Sequence, residues 1–336
     1  MSEQTVWSGV FWVVLVLLLV LVLAALAGVL WLMRKSRLQT LPKAQEVVLG
    51  DAQWPAEPAI PRTIWTYWHA ATPPYVVQRC IAGWQRLNPG YQVHVLHPGN
   101  VAEFLPNVPE SLGRLNIAKQ TDWIRLALLH RYGGMWLDAS IILTQPLDWV
   151  ERERREEQAE FVGFYLEGYT TRAAFPVVES WFLAALPGSV FIRQWLERFE
   201  AAAITGETAD YLAQLQQQGR YEALTQKIGD PSYHTIHVVA QDVLQSQSSG
   251  DAAMRLCLLR AEDTAYWLHV QSGWKRRPLF AKLLWTPGDA SVWPPLVKLR
   301  GGERTKLNAW LVKKHYREGS LVERFLAQPK PSDRRV

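Results

Sequence analysis

"LNIAKQTDWIRLALLHRYGGMWLDASIIL", residues 115–143, decides how this chain is read. Ile117, Ile124, Leu128 and Leu129 recur at helical spacing, which predicts a helix ending at Tyr132. Gly133 and Gly134 then supply the C-cap and turn that stop it. The next run, "MWLDASIIL", reads as a short apolar strand interrupted by one carboxylate, Asp138, before it resumes. On the helix, Asp122 and Arg125 are three apart and share a face, with Lys119 one turn earlier. Charge in the middle of an apolar helix has two readings: a surface ion pair, or a grip on a polar ligand at the C-terminal edge of a sheet, where α/β folds bind their ligands.

The flanking sequence alternates in the same way. "RTIWTYWH" (62–69), "YQVHVLH" (91–97) and "FVGFYLE" (161–167) read as strands, and "PYVVQRCIAGWQRLN" (74–88) and "SVFIRQWLERFEAAA" (189–203) as helices. Residues 205–260 read as mostly helical, and the remainder as irregular and rich in Trp and basic residues. The fold class that follows is α/β, a mixed sheet covered by helices.

Residues 10–33 carry no charge and almost no polarity. As a helix they would span roughly 36 Å, enough to cross a bilayer, so one N-terminal transmembrane helix is expected. The run is too long for a cleaved signal peptide and has no basic residue before it. Arg34, Lys35, Arg37 and Lys43 all follow it, which keeps the C-terminal side in the cytoplasm by the positive-inside rule. Residues 34–59 read as a basic juxtamembrane segment and Pro-rich linker, and 60–336 as one domain. Only Cys80 and Cys257 are present, without zinc-ligand spacing, in keeping with a reducing compartment or with an exported protein that has no disulfides. Residues 272–336 hold fifteen Lys or Arg against five Asp or Glu, a basic C-terminal part suited to anionic headgroups or a phosphorylated ligand. A plain solvated surface is the alternative.

The stretches "IPRTIWTYWH", "AKQTDWIRLALLHRYGGMWLDAS" and "SWFLAA" together resemble the capsular polysaccharide synthesis proteins, and more distantly the sugar-transferase region with an Asp-any-Asp motif. The likeness runs from about Ile60 to about Lys306. It implies the GT-A type of nucleotide-sugar-binding fold and a membrane-anchored hexosyltransferase of a bacterial inner membrane, retaining anomeric configuration. The implied partners are a nucleotide-sugar donor, a UDP-sugar above others, a glycan or lipid-linked glycan acceptor, and the membrane, with no nucleic acid among them.

By the same resemblance Asp122 and Arg125 contact the donor, and Trp65 or Trp68 stacks on its base. Asp138 matches the first acid of the motif that holds a divalent ion, manganese or magnesium, against the diphosphate leaving group. The position of the second acid is Ser140, a weaker neutral ligand. Trp181 is the tryptophan expected to line the site, and Lys298, Arg300 and Arg304 flank a Gly-Gly turn that could fold onto the diphosphate or stand as a plain exposed turn. His234 and His237 could share a helix face but lack a third ligand, and Asp230 or Asp242 could touch the acceptor or simply end helices. Ser140 also leaves open a rival: a catalytically degenerate nucleotide-sugar-binding scaffold of a polysaccharide assembly complex.

Overall fold

The computed structural model describes residues 3–246 and 254–327. Helix α1 (Glu3–Ser36) leads to β1 (Glu46–Leu49), β2 (Thr63–Tyr67), α2 (Tyr75–Leu87), β3 (Gln92–Leu96), α3 (Val101–Phe104) and α4 (Ile117–Tyr132). The middle of the chain forms β4 (Gly134–Leu137), β5 (Ile141–Leu143), α5 (Asp148–Glu156), β6 (Phe161–Tyr165), β7 (Val178–Ala185) and α6 (Val190–Phe199). Then come α7 (Thr208–Gln217), α8 (Tyr221–Thr225), α9 (Thr235–Gln245) and β8 (Leu256–Arg260). The last part is α10 (Trp267–Gln271), α11 (Arg276–Leu284), β9 (Leu296–Lys298), α12 (Gly301–Val312) and α13 (Leu321–Leu326).

Seven strands form one mixed sheet in the order β1-β8-β6-β7-β4-β2-β3, with β2 parallel to both β3 and β4 and β7 antiparallel to β4. Side chains alternate across it, as the pleat requires. Ile64, Met135, Leu137 and Phe182 enter one core with α2, α11 and α13, and Trp65, Trp136 and Leu183 enter the other with α4, α6 and α9. The sheet is therefore covered on both faces, as a mixed α/β architecture demands.

The glycine stop has a steric cause. Gly133 and Gly134 sit at φ 63° and 92°, and a Cβ on Gly134 would lie 2.8 Å from the Thr63 carbonyl oxygen. Only glycine fits where the helix hands over to a strand pressed against β2.

Three expectations are corrected. The run 135–143 is two strands: β4 ends at Leu137, the chain turns through Asp138–Ser140, and β5 joins β9 in a separate two-stranded sheet. The segment expected to be all linker contains β1, paired antiparallel with β8 at the sheet edge. The part after residue 260, expected to be irregular, holds α10 to α13 and β9, while 256–260, expected to be helical, is the strand β8.

Candidate active site

The site lies where the parallel strands β2 and β4 end, the edge at which α/β sheets place their ligands. A cleft of about 980 Å³ opens there. Tyr67, Trp68 and His69 at the end of β2, Asp138, Ala139 and Ser140 after β4, and Asp122 and Arg125 on α4 all line it. Glu179, Ser180 and Trp181 come from β7, His234 and His237 from the start of α9, and Lys298, Arg300 and Arg304 from the C-terminal part.

One chain of polar contacts runs through its floor. The Asp122 carboxylate meets Arg125 at 2.8 Å, and the same guanidinium reaches Asp138 at 3.3 Å and donates to the Ser180 hydroxyl at 2.5 Å. Its face lies 5.2 Å from the Trp136 ring centre, and the Trp136 indole N–H donates to Asp138 at 3.2 Å. The second Asp138 oxygen accepts from Lys298 at 2.5 Å. Lys298 arrives there because β5 pairs antiparallel with β9, placing it opposite Ile141, three residues past Asp138. The Asp138 N–H donates to the Trp181 carbonyl at 2.9 Å, which fixes the turn against β7.

The two carboxyls respond oppositely. Burial would raise both, and it does raise Asp122 above the ordinary range despite Arg125. At Asp138 burial is outweighed by Lys298 and Arg125, whose charges, with hydrogen bonds from Lys298 and Trp136, hold the group below its usual value.

This arrangement tests the expected divalent ion. Both oxygens of Asp138 already face cations, its neighbour in the turn offers only the Ser140 hydroxyl, and no group of three His, Cys, Asp or Glu capable of holding a metal occurs among the described residues. Manganese and magnesium need several hard oxygen ligands free of competing cations. The donor set of Asp138 and Ser140 does not fit such an ion.

Other expected residues divide. Trp68 lines the cleft with the Arg304 guanidinium 4.8 Å from its ring centre, and Trp181 lines it while stacking on Phe164 at 4.8 Å. Trp65 does not reach it: its indole is buried against His94 and donates to the Gly133 carbonyl at 2.9 Å. Arg300 is gripped by Glu303, which also accepts from buried His269 at 2.9 Å. Those contacts outweigh burial and bring the Glu303 carboxyl down to about 2. His234 and His237 stack edge to face at 5.3 Å, and His237 contacts Glu179 at 3.3 Å. Asp242 instead joins Arg198 and Arg220 in a structural cluster, and Asp230 is absent from the cleft lining. Glu179, Ser180, Tyr169, Tyr266 and Trp274 were not anticipated; the polar pair interrupting the apolar run "VVESWFLAA" was the available signal for the first two.

Comparison with known proteins adds to this geometry. Residues 45–203 match the family model of capsular polysaccharide synthesis proteins. The resemblance read from the sequence is borne out over that stretch, which contains Asp122, Arg125, Asp138 and Trp181 but stops short of Lys298, Arg300 and Arg304. Among curated relatives, the O-glycosyltransferase braB of Annulohypoxylon truncatum is 33% identical over 159 residues, covering 41% of this chain and 37% of its own. The glycosyltransferase afumC of Aspergillus fumigatus is 30% identical over 173 residues, covering 45% and 44%. The chain thus spans less than half the length of the curated relatives it matches. A solved structure, the PaToxG glycosyltransferase, aligns over 74% of this chain and 84% of its own at 13% identity and a TM-score of 0.32.

Proposed function

We propose that the chain is a membrane-anchored glycosyltransferase of surface polysaccharide synthesis. It moves a hexose from a nucleoside-diphosphate donor, a UDP-sugar above others, to a glycan or lipid-linked glycan, with retention of configuration. The domain faces the cytoplasm from a bacterial inner membrane. The observation that carries this reading is the contact chain Asp122–Arg125–Asp138–Lys298 along the floor of a cleft rimmed by Trp68, Arg300 and Arg304. The family match and the glycosyltransferase relatives support it.

In this reading Asp122 accepts hydrogen bonds from donor hydroxyls, and Arg125 holds the two carboxylates in register. Lys298 has three donor hydrogens, of which Asp138 takes one, leaving others for the diphosphate. As the glycosidic bond breaks, charge grows on the leaving diphosphate, and the cations of Lys298, Arg300 and Arg304 stabilise it where a preorganised charge counts most. Asp138 then holds Lys298 aimed. Retention leaves the acceptor proton to a donor phosphate oxygen, so no separate base is assigned. Trp68, its face engaged by Arg304, suits the donor base.

A panel of nucleotide sugars, read by release of nucleoside diphosphate and by transfer to glycan acceptors, tests the proposal. At least one donor should turn over, and Asp122→Asn should lower its turnover on the order of 10²-fold. Donor binding by thermal shift without release or transfer would favour the scaffold reading; no binding at all would remove both.

A further inference from the structure

The basic C-terminal part is only partly used by the cleft, and the rest of it lies beside the end of α1. Thr286 donates to the Ser36 carbonyl at 3.1 Å, the buried Lys282 ammonium donates to the Arg37 carbonyl, and Leu41 N–H donates to Ser291 at 3.0 Å. Lys275 sits 5.4 Å from the ring centre of Trp31, inside the apolar run Phe11–Ser36. That run covers roughly 39 Å as a helix, more than a hydrocarbon core of about 30 Å. With α1 in a bilayer, the turn that starts α11 stands level with the last turns of the anchor, at headgroup depth.

The residues exposed there have the composition of an interfacial surface. Trp274, Trp285 and Trp310 are 43%, 44% and 39% exposed, and the last two touch edge to face at 6.4 Å. Lys275, Arg276 and Arg277 at the start of α11, and Lys306, Lys313 and Lys314 on and after α12, are exposed too. None of these six has an ion-pair partner among the described residues. The two helices are adjoining, since a Cβ on Gly302 would lie 3.3 Å from the Arg276 guanidinium. Tryptophan favours the bilayer interface because its ring is apolar and its N–H polar, and clustered Lys and Arg favour anionic headgroups. A solvated basic face would not need three indoles that stay this exposed after their packing, Trp274 against Tyr266 and His269, and Trp285 against Trp310.

We propose that α11 and α12 lie on the surface of an anionic bilayer leaflet as a second membrane contact beside the anchor. This rests on the membrane-anchored reading above. It has a consequence for the cleft: Trp274 belongs both to this face and to the cleft lining, with the Arg300 guanidinium 5.6 Å from its ring centre. The rim of the cleft is then held at headgroup level, where an acceptor carried on a lipid presents its first sugars.

The native thiols make the test clean, because Cys80 and Cys257 are buried and burial pushes both up to about 12. Full-length Trp285→Cys and Trp310→Cys, and Gln216→Cys on exposed α7 as control, are labelled with an environment-sensitive fluorophore. They are then placed in nanodiscs of phosphatidylcholine with or without phosphatidylglycerol. Dyes at 285 and 310 should shift to the blue, and headgroup-nitroxide lipid should quench them at least about twofold more than the dye at 216. The difference should grow with phosphatidylglycerol and shrink in a Lys306→Glu/Lys313→Glu background, because the attraction is electrostatic. Equal exposure at 285, 310 and 216 in chain that co-elutes with the nanodiscs overturns the proposal while leaving the anchor intact. Chain that does not co-elute overturns the anchored reading itself. Protection of 285 and 310 that persists in lipid-free detergent and rises with protein concentration would assign the face to a second copy and overturn the lipid occupant.

Discussion

The contact between Asp138 and Lys298 makes the sharpest prediction, because it joins residues 160 apart in the chain at the floor of the cleft. The side chains are 25% and 13% exposed and meet at 2.5 Å. A hydrogen bond between charged groups contributes about 1.5–3 kcal/mol, and this pair is sheltered enough for that range to apply. A double-mutant cycle with Asp138→Asn, Lys298→Met and both together should therefore give a coupling energy of about 1.5–3 kcal/mol in denaturant unfolding of the detergent-solubilised chain. Asp138→Asn should be the more damaging single change, since it leaves Lys298 and Arg125 facing each other across a neutral group. The same variants separate two roles for the carboxylate. If Asp138 aims Lys298 at the leaving diphosphate, either single change lowers donor turnover on the order of 10²-fold, and the double variant is no worse than the worse single one. Coupling below about 0.5 kcal/mol would refute the ion pair as an interacting unit. Turnover losses that multiply in the double variant would refute the shared role.

Three further outcomes follow from the same geometry. Arg125→Lys keeps a charge but cannot bridge Asp122, Asp138 and Ser180 together, so donor affinity by calorimetry should fall by about tenfold or more with the fold retained; unchanged affinity would make the guanidinium dispensable. Chelation of divalent ions should leave wild-type turnover unchanged, whereas Ser140→Asp, which adds a second hard anionic ligand, should acquire measurable manganese binding; wild-type activity lost to chelator and restored by manganese would show that Lys298 yields Asp138 to an ion. Glu303 is held at about 2, below its unfolded value near 4.5, so its stabilisation is present above about pH 4.5 and fades as pH falls toward 2; the melting-temperature gap between wild type and Glu303→Gln should narrow between pH 5 and 3, and a constant gap would remove the carboxylate charge as its cause.

The parts of the site that were legible in the sequence are those built by neighbours in the chain. Asp122 and Arg125 share a helical turn, and the Gly133–Gly134 stop and Asp138 follow at once, so periodicity and punctuation were enough. The break at Asp138 was misread because apolar residues on both sides look alike whether a strand continues or hands over to another sheet. The handover is fixed by β9, about 150 residues later, and no local pattern announces that pairing. The resemblance offers Trp65 or Trp68 for the donor base; the pleat sends Trp65 into the core with Trp136, and Trp68 is the indole of the two that lines the cleft. The strand β1 was lost among prolines, since four residues pairing at a sheet edge carry too little pattern to stand out.

Under the proposed function, the carboxylate that breaks the apolar run has a reason that needs no bound ion. Each cation that rims the cleft is steadied by a group behind it: Lys298 by Asp138, Arg300 by Glu303, Arg304 by the face of Trp68. A free lysine or arginine on the surface loses rotamer entropy when it closes on a phosphate, and its charge is screened by water until it does. Cations already fixed in place avoid that cost at the moment charge develops, which is the condition under which electrostatic stabilisation favours a transition state over a ground state. Under the proposed transferase reading, partial neutralisation by Asp138 would also weaken the ground-state hold on a diphosphate and so favour its release after transfer.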